Sequence, residues 1–506
     1  MIKYLLKDNF LLFLFIFLSI LIKLPSIFLD LPPYQYCDET IYLNQLLRFG
    51  NDDDWNHFWE FRAGGFNYLP LYPLAFFLDK EALLIAGRVL YNVMFSSFTI
   101  FYIFKITKLF SNSKIIIFIS LFLFLVSPYA FTHSKIWYPD HYIYFFSSGF
   151  FYYLTLILLN KNFSQKYLYL LVFFFSIMIS IKYTSLLLFP AFLFVLYKLK
   201  TQINDFYICF GYLRKSFYIF ILVFSFFNIG LFFNPSEFVK DFLFNINNYS
   251  GYSNDFLLDG VIYYSINLFL FTSSFLCIPI LFLGLKEIIN RSEITFYAYL
   301  VIILFFIFYL GLSSGLLINR NVSILIPLIF PILALGFHKL FFFFKNSYYK
   351  FIIRIYLSLF LIHTLASFTF SFSNTLKTDS RVLAEEWLRN NIPSSSSIGT
   401  NEFCSGSSPA EKYFSNIYVD KSFTKKYDYY VINSYWKSAI DYKYRHKIPL
   451  IFIMNQLYVN YHYSHTSSSF SFNPKAHSVI DDLYSEEKVF EGYGPKIYIM
   501  KKKVSN

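Results

Sequence analysis

Residues 30–81 read DLPPYQYCDETIYLNQLLRFGNDDDWNHFWEFRAGGFNYLPLYPLAFFLDKE and lie between two apolar runs, 10–29 and 84–104. Each run has about the 20 apolar residues that a helix needs to cross a bilayer. The segment between them carries nine Asp and Glu residues and is too polar for the hydrocarbon core. Long ordered loops are usually functional. We therefore expect the chemistry of this protein near the first loop, residues 30–83.

The composition predicts a membrane protein. Of the 506 residues, 70 are Phe and 45 are Tyr, 56% are hydrophobic and 15% are charged, and the mean hydropathy is +0.48. Soluble domains carry about 25% charged residues, and disordered chains are poor in aromatic residues. The net charge of +12 comes largely from Lys and Arg between apolar runs, as expected of a multi-pass membrane protein rather than a nucleic-acid-binding one.

Hydropathy predicts eleven membrane spans, of which the first resembles a signal peptide but lacks a small-residue cleavage pattern. The spans are 10–29, 84–104, 115–131, 141–159, 167–181, 184–197, 217–233, 262–285, 294–312, 322–344 and 352–372.

The distribution of charges predicts the orientation of these spans. With the N-terminus in the cytoplasm, the cytoplasmic connections carry 17 Lys and Arg and 4 Asp and Glu, whereas the other side up to residue 372 carries 9 and 14. An odd number of spans then places the C-terminal tail outside. The Phe-, Lys-, Asn- and Ile-rich composition is typical of AT-rich bacterial genomes. We expect a bacterial inner-membrane protein with its first loop and tail in the periplasm.

The tail, residues 373–506, is predicted to form a small α/β accessory domain after the transmembrane domain 1–372. RVLAEEWLRNNIP (381–393) predicts a helix that Pro ends. YDYYVINSY (427–435) and PKIYIMKK (495–502) predict strands, and VIDDLYSEEKVF (479–490) predicts a helix. The expected fold class is a mostly α polytopic membrane protein with a small C-terminal α/β extracytoplasmic domain.

Two acidic positions on the outer side are candidates for catalysis. Asp38 and Glu39 begin DETIYLNQLLRF (38–49), which predicts an interfacial helix. Asp140, followed by His141, lies where the fourth span begins. Each position also suits a helix cap or a first-turn acid. Because acids near membrane depth are costly and often mark sites, the two positions could instead converge on one reaction centre.

Four basic residues on the same side are candidates for binding phosphate. They are Arg88, Lys135, Lys182 and Arg320. The alternative for each is that its side chain extends to the lipid headgroups. Because all four share the side of the candidate acids, we expect part of the set to bind an anionic lipid headgroup.

Taken in order, these motifs resemble the membrane-embedded GT-C glycosyltransferases. The most similar branch is the family-39-like one, which contains protein O-mannosyltransferases and lipid A aminoarabinose transferases. The similar segments are Asp38-Glu39, NYLPLYPLAFF (67–77), GRVLYNVMFSSFTIFYIF (87–104), Pro139-Asp140, KYTSLLLFP (182–190), RNVSILIPLIFPILALG (320–336), AEEWLRNNIP (384–393) and DYYVINS (428–434).

The resemblance implies transfer of a single sugar, with inversion, from a polyprenyl-phosphate donor to a periplasm-facing glycan, lipid or protein. It makes Asp38 the catalytic base, and it gives Glu39 and Asp140 the task of orienting the acceptor or holding a divalent cation. The remaining candidates are Arg88, Lys182, Arg320 and Lys135 for the donor phosphate, and Tyr68, Tyr72 and His141 for the substrate pocket.

The chain differs in three places from the families that it resembles. The aminoarabinose branch has a Glu-Lys pair where this chain has Asn67 and Tyr68, so the lysine for the lipid phosphate has no counterpart here. The loop 234–261 is too short for the inserted β domain of eukaryotic mannosyltransferases. The chain has no W-W-D motif, which argues against transfer of whole oligosaccharides to Asn.

Two further features leave alternatives open. The run Asp52-Asp53-Asp54 could bind a metal ion, although such runs are more often solvated loops. The four cysteines show no C-x-x-C spacing, so neither zinc nor a redox motif is indicated, and a disulfide between Cys37 and Cys404 stays open.

Two other functions also stay open, a flippase for polyprenyl-linked sugars and a family member without catalysis. A transporter is expected to carry polar groups along several spans and to contain inverted repeats. Here the spans consist mostly of Phe, Leu and Ile, with Asn92 and Asn228 as mid-span exceptions. This distribution favours a site that opens to one side of the membrane, and only activity separates a non-catalytic member from an enzyme.

Overall fold

The computed structural model describes most of the chain. The described residues are 2–28, 37–51, 64–134, 137–203, 205–250, 261, 264–265, 268, 276–313, 319–343, 347–376, 378, 380–400, 416–419, 425–433, 483–490 and 497–503. They belong to two compact units. The first unit is drawn from Met1–Ile27, Ile41–Gly315 and Asn319–Phe368, and the second from Phe28–Thr40, Leu316–Ile318 and Thr369–Asn506.

Helices make up most of the described residues. In chain order the α-helices are α1 (Ile2–Lys23), α2 (Cys37–Asn51), α3 (Lys80–Gly87), α4 (Ser96–Phe110), α5 (Lys114–Leu125), α6 (Pro128–His133), α7 (Pro139–Leu159), α8 (Gln165–Ile181), α9 (Pro190–Gln202), α10 (Phe206–Phe227), α11 (Gly230–Phe233), α12 (Pro235–Ser250), α13 (Cys277–Ile289), α14 (Glu293–Ser313), α15 (Ile326–Phe343), α16 (Ser347–Thr375) and α17 (Ser380–Asn391). Short 3-10 segments are Leu24–Phe28, Gly65–Asn67, Leu69–Phe76, Tyr183–Leu188 and Asn319–Leu325, and the π-helical segment is Arg88–Phe95.

Eight helical stretches among the described residues are long and apolar enough to cross a membrane. They are Asn9–Phe28, Lys80–Phe110, Pro139–Leu159, Tyr183–Gln202, Phe206–Phe227, Glu293–Leu312, Asn321–Phe342 and Tyr348–Thr369. The shorter apolar helices α5 and α8 coincide with two further predicted spans. The predicted span 262–285 is described only in part, and its last part coincides with α13. The prediction of a mostly helical, multi-pass membrane protein is confirmed.

The predicted span 115–131 is broken near its end. Helix α5 ends at Leu125, and the Oγ of Ser127 accepts a hydrogen bond from the Ala130 N–H at 3.3 Å to begin α6. The cause is Pro128, because a proline disfavours helical geometry in the residue before it.

The predicted span 217–233 is part of a helix that begins earlier. Helix α10 begins at Phe206, where the carboxylate of Asp205 accepts hydrogen bonds from the next N–H groups at 2.8 and 3.1 Å. The hydropathy pattern left Arg214 and Lys215 outside the predicted span. The long apolar stems of such side chains allow a membrane helix to include them. The helix ends at Phe227, before Asn228.

Helices α13 and α15 pack with their backbones in contact. A Cβ on Gly336 would lie 1.7 Å from the carbonyl oxygen of Ile280, and a Cβ on Gly284 would lie 2.0 Å from that of Ile332. Small residues let membrane helices approach this closely, and close packing is what holds such helices together.

We expect Gly336→Ala to force α13 and α15 apart and to lower the melting temperature of the protein in detergent. The new methyl group meets a backbone oxygen that cannot rotate away, and overpacking of this kind costs about 1–3 kcal/mol. The control is Gly211→Ala, because nothing lies within 4 Å of a Cβ at Gly211. Equal melting temperatures for the two variants would contradict the close packing.

The second unit contains a five-stranded mixed sheet with the strand order β2-β1-β3-β5-β4. The strands are β1 (Ile398–Thr400), β2 (Ile417–Val419), β3 (Tyr429–Asn433), β4 (Tyr484–Phe490) and β5 (Ile497–Lys502). Strand β1 pairs in parallel with β2 and β3, and β5 pairs antiparallel with β3 and β4. Ala384, Leu388 and Ile392 of the α17 segment pack against buried side chains of this sheet. The predicted small α/β region is therefore present.

The prediction for residues 479–490 was wrong. Where a helix was expected, residues Tyr484–Phe490 form β4 at the edge of the sheet. A register shift between Glu486 and Lys488 interrupts the pairing with β5. Because a bulge removes the alternation of inward and outward side chains, the sequence lacks the period of a regular strand.

Asp428 links the start of β3 to the residue before β1. Its Oδ2 accepts hydrogen bonds from the backbone N–H of Ser397 at 2.8 Å and from the hydroxyl of Ser397 at 2.7 Å. Hydrogen bonds to the ionised form favour it, so they hold the pKa of the Asp428 carboxyl below its ordinary value.

We expect Asp428→Asn to speed amide hydrogen exchange in β1 and β3 at neutral pH. A carboxyl with a lowered pKa stabilises the fold above its unfolded pKa of about 3.9, and this contribution is lost as the pH falls through the folded pKa. The difference between variant and wild type should therefore shrink in acid, as the pH falls through the lowered pKa of Asp428. Hydrogen-exchange mass spectrometry of the full chain measures this, with the exposed Glu487→Gln as control. A difference that persists unchanged in acid would contradict the expected role of the charge.

Candidate active site

A buried carboxylate lies at the start of α7. Pro139 is the first residue of this helix, and Asp140 follows in the first turn, 1% exposed. Proline is preorganised for that position, and the helix dipole favours an acid in the first turn. These local preferences explain why the helix begins here. They do not explain the burial, because a carboxylate removed from water needs a compensating charge.

Lys182 supplies the compensating charge. Its ammonium donates a hydrogen bond to Oδ1 of Asp140 and forms an ion pair with it. Lys182 has an extended backbone between α8 and the 3-10 segment Tyr183–Leu188, and its side chain is 13% exposed. The Oγ of Ser323 lies 3.4 Å from the same Oδ1, at the outer limit of a hydrogen bond. Three elements distant in sequence therefore meet at one oxygen atom.

The sequence pointed to two members of this cluster but not to their contact. Asp140 was a candidate for orienting the acceptor and Lys182 for binding phosphate, and those roles stay predictions. Ser323 was missed, because a single serine beside an apolar run has no pattern that marks it.

Asn67 links α7, which carries Asp140, to the last residue of α8, which precedes Lys182. Its Nδ2 donates to the carbonyl oxygen of Ile181 at 3.1 Å, and its Oδ1 accepts a hydrogen bond from the hydroxyl of Tyr142. Ile181 precedes Lys182, and Tyr142 lies two residues after Asp140. Asn67 is fully buried. In the sequence Asn67 was only a departure from the resembling family, whereas here its amide connects the surroundings of both charged residues.

The end of the first loop, residues 64–68, lies between the ends of α8 and α10. Its first two positions have room only for glycine. A Cβ on Gly64 would lie 1.9 Å from the oxygen of Ser180, and a Cβ on Gly65 would lie 1.8 Å from the oxygen of Phe227. Asn228 accepts a hydrogen bond from the Gly65 N–H at 3.2 Å and donates one to the Ser180 hydroxyl at 3.0 Å. The side chain of Asn228, directly after α10, thus provides a hydrogen-bond partner for the backbone of this loop.

Aromatic rings hold the same loop end. Phe66 is 5% exposed, and its ring lies between 4.8 and 6.5 Å, centroid to centroid, from five others. These rings belong to Tyr91, Phe95, Tyr142, Phe146 and Phe227. Edge-on aromatic pairs contribute about 0.5–1.5 kcal/mol beyond the burial of their area. The abundance of Phe and Tyr thus helps to position the loop beside the ion pair.

Arg88 is fully buried at the start of the π-helical segment Arg88–Phe95. Its Nη1 donates to the carbonyl oxygen of Ile27 at 3.2 Å. A Cβ on the preceding Gly87 would lie 2.4 Å from the ring of Trp137, so the glycine leaves room for that ring. π-Helical turns occur frequently at functional sites. The role of Arg88 as a phosphate ligand stays a prediction.

The structure describes the remaining charged candidates unequally. Glu39 is fully buried in α2. Asp38 belongs to the same helix and Arg320 to the segment Asn319–Leu325, but both side chains lie outside the described ones. Lys135 and residues 52–54 lie outside the described residues. Within the described part of the chain, no three His, Cys, Asp or Glu side chains are grouped as a metal site requires.

The three predicted pocket residues differ in their burial. Tyr68 is 2% exposed, and His141 is fully buried with its ring centroid 5.3 Å from that of Tyr142. Tyr72 is partly exposed and lies 5.1 Å from Phe76, centroid to centroid, and its partial burial raises the pKa of its phenol. Their assignment to a substrate pocket stays a prediction.

An acid that the sequence patterns did not single out lies near Tyr183, the residue after Lys182. Asp241 of α12 is 7% exposed, and its carboxylate interacts electrostatically with the phenol of Tyr183, the residue after Lys182. The ring of Tyr183 also meets that of Phe242 edge-on at 5.4 Å. The available signal was the amphipathic pattern of PSEFVKDFLFNINNYS, in which Asp241 and Phe238 share a helix face.

We expect Lys182→Met to lower the melting temperature in detergent, because it removes the ammonium that pairs with the buried carboxylate of Asp140. Removing one partner of a buried ion pair costs about 3–5 kcal/mol, whereas replacing both can be neutral. Asp140→Asn should also destabilise, and the double variant should recover most of the loss. A double-mutant cycle on the four melting temperatures measures the coupling. Losses that simply add would contradict the ion pair.

No family model matches the sequence, and no curated protein matches it. Among solved structures, ArnT from Cupriavidus metallidurans bound to undecaprenyl phosphate is 11% identical with a TM-score of 0.51, over 97% of this chain and 98% of that chain. The apo state of that ArnT is also 11% identical with a TM-score of 0.51, over 96% of this chain and 97% of that chain. The oligosaccharyltransferase AglB from Archaeoglobus fulgidus, in complex with an inhibitory peptide and a dolichol-phosphate, is 10% identical with a TM-score of 0.47. This match covers 86% of this chain and 71% of that chain.

The likeness to ArnT extends over almost the whole length of both chains. It shows that this chain has the fold of that membrane protein, and the GT-C fold expected from the sequence motifs is confirmed.

Proposed function

We propose that this protein is an integral-membrane inverting glycosyltransferase that moves a single sugar from a polyprenyl-phosphate donor to a periplasm-facing lipid, glycan or protein. The observation that carries the proposal is the buried pair of Asp140 and Lys182 within a GT-C fold. Ionisable residues at membrane depth are expensive and mark functional sites by default. The undecaprenyl phosphate bound to ArnT supports the same class of donor for this chain.

At the anomeric carbon the proposed reaction forms one bond and breaks one, and a proton moves from the acceptor to the protein. The acceptor oxygen attacks the anomeric carbon, the bond from that carbon to the phosphate oxygen breaks, and polyprenyl phosphate leaves with the electron pair. The proton of the acceptor hydroxyl passes to a carboxylate, which we assign to Asp38. A single displacement from the face opposite the leaving group inverts the anomeric centre. General-base assistance of this kind contributes about 10²–10⁴-fold to the rate.

The leaving phosphate gains negative charge, and fixed cations stabilise that charge without rearranging during the reaction. We assign this task to Lys182, with Arg88 and Arg320 as further cations. An ammonium has three N–H donors, so Lys182 can bind a phosphate oxygen while it keeps its hydrogen bond to Asp140. Asp140 and Glu39 orient the acceptor in this proposal, and a divalent cation at these carboxylates is the alternative.

The proposed location is a bacterial inner membrane, with the reaction on the periplasmic side. The excess of Lys and Arg in the predicted cytoplasmic connections supports this orientation. Residues 373–506 would form a periplasmic accessory domain that helps to present the acceptor. The apolar cluster between α17 and the sheet supports a domain with its own core.

Sugar transfer can be tested in isolated membranes that are supplied with a panel of labelled polyprenyl-phosphate sugars. We expect label to enter a new product with the wild type, and Asp38→Asn to lower the rate by about 10²–10⁴-fold at matched expression. The control is Glu487→Gln, an exposed acid of β4 that should leave the rate unchanged.

Two outcomes would contradict the proposal. If label crosses the membrane without forming a product, and Asp38→Asn behaves like the wild type, the protein is a flippase. If the wild type moves no label from any donor of the panel, the chain is not a transferase of this donor class.

A further inference from the structure

A lysine that the proposed reaction does not use is buried in the first span. Lys23 is the last residue of α1, within the apolar stretch Asn9–Phe28, and it is only 6% exposed. A lysine near the end of a span usually extends its ammonium to the headgroups. The burial of Lys23 shows that its side chain packs against the protein instead.

The side chain of Lys23 lines a recess between α1, α5 and α6. The interior of the recess measures about 10 Å³, which is room for about one water-sized atom. The ammonium lies 5.9 Å from the centroid of the Phe124 ring, and the Ser26 hydroxyl donates to the Lys23 carbonyl oxygen at 2.6 Å. The other residues around the recess are Ser19, Ile22, Leu125, Ala130 and Phe131.

Within the described part of the chain, no carboxylate pairs with the amino group of Lys23. A buried ammonium needs a counter-charge or hydrogen-bond acceptors, and the face of Phe124 compensates only part of the charge. The recess therefore combines three N–H donors with apolar walls. Such a site suits an oxygen atom that carries negative charge and belongs to a largely apolar molecule.

The position of α1 indicates that this molecule is a lipid. Several apolar side chains of the stretch Asn9–Phe28 are exposed on the protein surface, as expected of a helix that faces acyl chains. They include Phe13, Phe17, Leu21, Leu24 and Phe28. Lys23 lies close to the end of this stretch, where a long side chain can reach a phosphate at the membrane surface. Basic pockets between membrane helices bind anionic headgroups in this way.

We propose that the Lys23 recess binds a phosphate oxygen of an anionic phospholipid. The ammonium of Lys23 binds the phosphate, and the rings of Phe124 and Phe131 contact the glycerol and the first acyl carbons. A bound lipid then holds α1 against α5 and α6. The residues of this recess are different from those of the Asp140 cluster, and the proposal does not depend on sugar transfer.

The test is thermal unfolding of the full chain in detergent, titrated with short-chain phosphatidylglycerol. We expect saturating lipid to raise the melting temperature of the wild type by about 3 °C and to have no such effect on Lys23→Met. Lys23→Arg, which keeps the charge, should retain most of the shift. The matched control is Lys200→Met, which removes an exposed lysine at the end of α9 and should shift like the wild type.

A second variant and two further ligands keep the test decisive. Ala130→Leu keeps the lysine but fills the recess, so it should also lose the shift. An undiminished shift in either Lys23→Met or Ala130→Leu would overturn the site. An equal shift with inorganic phosphate would overturn a lipid as the ligand, and an equal shift with short-chain phosphatidylcholine would overturn selectivity for anionic lipid. Each shift is measured from the variant's own lipid-free melting temperature, so a change in basal stability does not affect the comparison.

Discussion

Irregular backbone inside a bundle of membrane helices must find its hydrogen-bond partners within the protein. This constraint governs the end of the first loop. The N–H of Gly65 is bound by Asn228, the carbonyl oxygen of Phe66 accepts from the Tyr91 hydroxyl at 2.8 Å, and the amide of Asn67 is bound on both sides. The partners belong to different helices. Satisfying the loop therefore also fixes these helices relative to one another.

The ion pair of Asp140 and Lys182 depends on this arrangement. A buried ion pair stabilises a protein only where its geometry is held and its remaining hydrogen bonds are made. Asn67 contributes to that geometry, because its donor binds the residue before Lys182 and its acceptor binds Tyr142, two residues after Asp140. The glycines at 64 and 65 are required for the same reason, since any side chain there would meet a backbone oxygen of α8 or α10. The ion pair thus depends on a segment that carries no charge.

Much of the architecture could be predicted from local sequence properties. Hydropathy located the spans, and the period of 3.6 residues located the helix now called α17. The failures have local causes too. Pro128 interrupts the helix within one predicted span, and the charge of Arg214 kept the first half of α10 out of another. The strand β4 was taken for a helix because its bulge at Glu486 removes the alternation on which strand prediction depends.

The sequence by itself determined that this chain is a multi-pass membrane protein, and it pointed to Asp140 and Lys182 as residues of interest. Both conclusions follow from transfer free energies, because apolar runs enter the membrane and charges within them are costly. Only the tertiary structure decided that these two residues bind each other, that Ser323 adjoins Asp140, and that Asn67 binds residues close to both in the chain. Contacts between residues so far apart in the chain depend on how whole helices pack, which no local pattern records.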